Sequence, residues 1–127
     1  MSQAGGSGGG GSTPGDEGFK WNTVTATSIQ AKVRNGYIAN NAGTVTITLP
    51  AVSKVGDGIA VVGINNATGW KIAQNAGNQI HLNSTSTTIG AGGYLQSTAT
   101  FNAANLLCTV ANTEWTVIDS EGNLTVV

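Results

Sequence analysis

The sequence predicts an all-β protein: a single antiparallel β-sandwich, jelly roll or prism-like domain behind a Gly-rich N-terminal tail. Three observations carry this reading. From Gly18 onward, short runs of β-branched residues and threonine alternate in hydropathy. Turn-forming residues interrupt these runs at roughly every 6 to 12 positions, the spacing of an all-β domain. No segment sustains a helical apolar period over three turns, so no helix is expected.

Residues 1–17 open MSQAGGSGGGGSTPG, a Gly-Ser composition that builds no core and reads as an assembly tail or a linker. The folding domain is assigned to residues 18–127. Asn35-Gly36 is a two-residue hairpin signal leading into Tyr37-Ile38. The clearest strand is Thr44 to Leu49, with Val45, Ile47 and Leu49 on one face and threonines on the other. Pro50 ends it, because proline cannot donate to a ladder. Gly58 to Ile64 is apolar on both faces, as a central, doubly covered strand would be. Trp70 to Gln74 alternates again, and Asn75 to Asn78 reads as a hairpin connection into Gln79 to Leu82. Thr85 to Ile89 is a polar edge strand, followed by a glycine-rich turn at Gly90 to Gly93 and a strand in Tyr94 to Phe101. Asn105 to Val110 and Glu114 to Ile118 form a hairpin around Ala111-Asn112-Thr113, and Leu124 to Val127 closes the chain.

Composition narrows function. Charged residues make up 9% of the 127 residues, with five basic against six acidic and a net charge of −1. Soluble domains commonly carry about 25%, so a surface this neutral favours burial against other copies of the chain. So few Lys and Arg cannot neutralise many phosphates, and nucleic acid is not expected as a partner. No apolar run approaches a membrane span, so no membrane insertion is expected, and no signal-peptide pattern is visible at the N-terminus.

The chemical inventory is thin. The sole cysteine, Cys108, sits among Leu106, Leu107 and Val110 and reads as a core thiol. The sole histidine, His81, lies in an alternating strand on the face opposite Ile80 and Leu82 and reads as an exposed or subunit-facing polar group. One His and one Cys do not make a zinc site within one chain. Asp57, between two glycines, reads as a turn former. Gly90-Ala91-Gly92-Gly93 lacks the Lys-Ser/Thr of a phosphate loop. No catalytic residue, metal ligand or cofactor site is expected. Trp21, Tyr37, Trp70, Tyr94 and Trp115 are the side chains best able to stack on a sugar or anchor a partner, so they are the candidate contacts to a glycan or a subunit.

Thr46-Ile47-Thr48-Leu49-Pro50, Val55-Gly56-Asp57, the run Gly69 to Gly77, Leu107 to Thr113 and the closing Gly122 to Val127 carry a resemblance. With them, residues 44–127 resemble a β module of phage tail-fibre and appendage proteins that also occurs in phage-like bacterial proteins. The resemblance implies an all-β, often trimeric, fibre-associated domain on a virion appendage or outside the cell, and it transfers no catalytic residue. The expected function is a non-enzymatic structural or attachment subunit whose partners are copies of itself, as a trimer or a polymer. The alternatives are an extracellular filament subunit whose N-terminal tail docks on a neighbour, and a module binding cell-surface glycan.

Overall fold

A computed structural model describes residues 19–127; the tail assigned to residues 1–17 lies outside them. Twelve strands are found among the described residues: β1 (Lys20–Val24), β2 (Ser28–Gln30), β3 (Asn35–Ala39), β4 (Val45–Thr48), β5 (Gly58–Gly63), β6 (Trp70–Ala73), β7 (Gln79–Leu82), β8 (Thr85–Ser86), β9 (Tyr94–Gln96), β10 (Ala103–Val110), β11 (Glu114–Glu121) and β12 (Thr125–Val126). No helix occurs among these residues. The strands form two sheets, one ordered β1-β3-β5-β10-β11-β7-β8 and the other β12-β9-β6-β4-β2. They pack face to face as a β-sandwich around one core.

The sheets are mixed, and this corrects the antiparallel expectation. From β1 to β7 each strand crosses to the other layer, so strands two apart become parallel neighbours: β1 with β3, β3 with β5, β2 with β4 and β4 with β6. The first half is thus a flattened coil, whose turns stack like the rungs of a solenoid. The second half is antiparallel except where β11 runs parallel to β7. The β10–β11 hairpin inserts between β5 and β7, and β9 and β12 extend the other sheet.

Within each strand the alternation holds. Val45, Ile47 and Leu49 are fully buried, as are Trp70, Ile72, Ile80, Leu95 and Cys108. Strand β5 runs between β3 and β10, and buries Ile59 and Val61 inward.

Two expected hairpins are absent. Gly36 lies inside β3, and the positive φ falls one turn earlier, at Arg34 (61°). Gly36 answers a different need, because a Cβ there would stand 2.5 Å from the Trp21 ring. Likewise Asn75 to Asn78 joins strands of different layers. Its amides tie the crossing: Asn75 N–H donates to Asn78 Oδ1 (2.9 Å), and Asn78 Nδ2 donates to Asn112 O (3.1 Å).

Asp57 forms its turn as expected, with a side chain only 7% exposed. Its Oδ2 accepts the Lys54 N–H at 2.8 Å, and the Lys54 ammonium lies 3.3 Å from Oδ1. The Lys54 backbone donor holds the carboxyl below its usual range against the opposing effect of burial, with the Lys54 side chain and Arg34 adding to the lowering. A depressed folded-state value means that the unfolded chain binds the proton first. The stabilisation is therefore present above the unfolded value near pH ~4 and is lost as pH falls through the folded one. Urea unfolding at pH 7 and pH 2 is expected to show a smaller acid loss in Asp57→Asn than in the native chain.

Candidate interaction surface

The two layers present unlike faces to the outside. On the five-stranded sheet, Ser28, Gln30, Thr46, Thr48, Lys71, Gln96 and Thr125 alternate with the core residues, giving a polar face. On the seven-stranded sheet the outward positions are Trp21 and Thr23 of β1, Gly36 and Ile38 of β3, Gly58, Ala60 and Val62 of β5, and Ala103, Asn105 and Leu107 of β10. That face is largely apolar.

Small residues in the middle of this face create an open trough of about 320 Å³. Gly58 and Ala60 form its floor, Phe19 and Trp21 one side, and Leu107 and Ile118 the other. The Trp21 indole lies over Gly36, meets Phe19 edge-on at 5.8 Å between ring centroids, and stays 50% exposed. Ile118 is 62% exposed, at a β-bulge where β11 carries one residue more than β10 between the pairs Asn105–Asp119 and Leu106–Val117.

Of the five aromatic candidates, three are corrected. Trp70, Trp115 and Tyr37 are buried in the core and offer no ring face to a ligand. Their strand positions point inward, and burying so large an apolar surface outweighs keeping the ring available. Trp70 Nε1 donates to Asn102 O at 2.9 Å, and Tyr37 Oη accepts the Lys32 N–H at 2.7 Å. Tyr94 is half-buried on the polar face, where the Lys71 ammonium covers its ring 4.2 Å from the centroid. Trp21 alone keeps both exposure and an apolar setting. Phe19 and Ile118 were not singled out in the sequence, although alternation from Trp115 already places Ile118 outward.

His81 is half-buried, and its ring bridges three adjacent strands. Nδ1 lies 2.7 Å from Ser86 Oγ, and Nε2 lies 2.8 Å from Glu114 Oε1. Serine, imidazole and carboxylate stand in the order of a nucleophile–base–orienter relay. Acyl transfer would also need converging donors for an oxyanion and a cleft for substrate, and none of the three residues lines the trough. As it stands, the network stitches β7, β8 and β11 together. Among the described residues no three His, Cys, Asp or Glu side chains cluster to hold a metal, and no helix is long and apolar enough to cross a membrane.

A second groove, of about 420 Å³, opens between the layers where both sheets end in β1 and β2. Lys20, Asn22, Ile29, Gln30, Lys32 and Tyr37 are among its lining residues. No family model matches the chain, and no curated protein matches it.

Proposed function

We propose that this protein is a non-enzymatic structural subunit that assembles with copies of itself, as part of a fibre or appendage. The observation that carries the reading is the asymmetry of the sandwich. One outer face is threonine-rich and suited to water, whereas the other holds an apolar trough flanked by half-exposed Trp21 and exposed Ile118. In a chain with 9% charged residues, covering that face by another copy removes apolar surface from water at little desolvation cost. The fibre or phage-appendage setting rests on the sequence resemblance of residues 44–127.

Light scattering of the full chain and of a form lacking Ser2–Gly15 tests assembly, and negative-stain micrographs separate discrete oligomers from polymers. Assembly in the full chain is expected; a monomer in both forms rejects the reading. Glycan binding is the second reading, favoured by Trp21 alone, whose indole is backed by Gly36 and half open. Glycan-array signal lost in Trp21→Ala would support that reading.

A further inference from the structure

The two ends of the sandwich are not alike. At one end the outermost strands, β8 and β12, are two residues each, which leaves little edge to pair with. At the other end the outermost strands are β1, with five residues, and β2, with three, and the groove between the layers opens there.

Among the described residues, the main-chain hydrogen bonds fix which groups on β1 are free. Lys20 N–H donates to Arg34 O, and Val24 O accepts Asn40 N–H, so Lys20, Asn22 and Val24 turn their peptide groups toward β3. Alternation then turns the N–H and C=O of Trp21 and Thr23 to the open side. On β2, Thr27 O accepts Thr46 N–H and Ala31 N–H donates to Thr48 O, which leaves Ser28 and Gln30 facing out.

We infer that the β1 edge is a two-fold interface with β1 of a second copy, joining two seven-stranded sheets into one continuous antiparallel layer. This rests on the self-assembling reading above and adds an edge contact to the face contact proposed there. The occupant follows from register. With the two-fold axis at Asn22, Trp21 of one copy faces Thr23 of the other, and these are the residues whose peptide groups are free. They exchange two reciprocal pairs of main-chain hydrogen bonds.

The same register sets Lys20 opposite Val24, so no lysine faces its own mate, a pairing that would be repulsive. On the outer face each Trp21 lies diagonal to its symmetry mate, with its indole turned back over Gly36 toward the trough. The two troughs then lie side by side on one outer face. An axis normal to one layer is normal to the other, so it also carries β2 toward its own mate and closes the open groove.

Two substitutions in the full-length chain test this. Thr23→Pro removes an N–H that no strand among the described residues uses, at an edge position where proline is tolerated. Sedimentation is expected to show an even-numbered wild-type assembly and a Kd weakened by about a hundredfold in Thr23→Pro, about tenfold for each donor removed, with the circular dichroism spectrum unchanged. Asn22→Cys places two thiols on the axis. A non-hydrogen-bonded antiparallel pair has Cα atoms about 4.5 Å apart, inside the disulfide range of about 4.4–6.8 Å, so mild oxidation is expected to give a covalent dimer.

Should Thr23→Pro fail to fold, the Asn22→Cys cross-link decides: its formation supports the interface and its absence overturns it. A trimer, or an assembly unchanged by Thr23→Pro, overturns the interface and leaves the self-assembling reading standing. An assembly lost on deleting Ser2–Gly18, with no Asn22→Cys cross-link, gives the edge to the N-terminal segment instead. A monomer in every form overturns both.

Discussion

Replacing Gln74 by Leu is expected to cost about 3 kcal/mol. Gln74 is 4% exposed, yet its amide is a hub. Nε2 lies 2.8 Å from Asn78 O, 2.9 Å from Thr88 O and 2.8 Å from Gly90 O, while Oε1 accepts the Thr87 hydroxyl. Asn78 O and Gly90 O keep second donors, from Gly90 N–H and Gly93 N–H. Thr88 O and the Thr87 hydroxyl hydrogen lose theirs. A buried orphan such as the Thr87 hydroxyl costs about 1–3 kcal/mol, the carbonyl of the exposed Thr88 costs less, and members of a network fail together. Thr87→Ser keeps the hydroxyl that accepts the Ile80 N–H and donates to Gln74 Oε1, and is expected to cost only about 1 kcal/mol for the lost methyl. Urea unfolding followed by circular dichroism measures both. If the two variants come out equal, the hub role is wrong.

Trp70→Phe is expected to destabilise more than Trp115→Phe, although both indoles are fully buried and the substitution deletes the same atoms. The difference is one hydrogen bond. Trp70 Nε1 donates to Asn102 O, whereas Trp115 Nε1 has no partner among the described residues. Asn102 in turn holds its loop through Oδ1, which accepts the N–H groups of Thr98 and Ala99. The cavity left by the smaller ring costs both variants about 1–2 kcal/mol, and the lost bond adds about 1 kcal/mol or more at Trp70. Replacing Trp115 relieves an unpaired donor, which offsets part of its loss. Asn102 O also accepts the Gly63 N–H at 3.3 Å, and equal midpoints in urea would show that this weaker bond suffices for the carbonyl.

Much of the interior was legible in the residues themselves. Val45, Ile47 and Leu49 alternate with threonines and are all buried; Cys108 lies in the core beside Ser53 Oγ (3.3 Å); and Ala111-Asn112-Thr113 is the hairpin turn expected, with Asn112 at φ 61°. Alternation reports which side of a strand meets the core, because successive side chains point to opposite faces. It does not report which strand lies alongside. The parallel partners of the coil are separated by a full turn through the other layer, and unequal rungs leave no repeat to detect. Asn35-Gly36 shows the ambiguity. Locally it is a turn signal, but the glycine serves the Trp21 ring packed across it from β1.

The candidate surface divides along the same line. Composition alone argued that a chain so poor in charge should cover itself with copies, and the sequence alone defined the β character and the inward faces. Only the tertiary structure sorted five equivalent aromatics into three core residues, one capped by Lys71 and one, Trp21, left beside a trough. Burial is decided by what packs over a residue from distant parts of the chain, and that information is absent from its neighbours in sequence. The place of β1 at the outside of its sheet among the described residues is likewise a property of strand order, which no local pattern in those five residues reports.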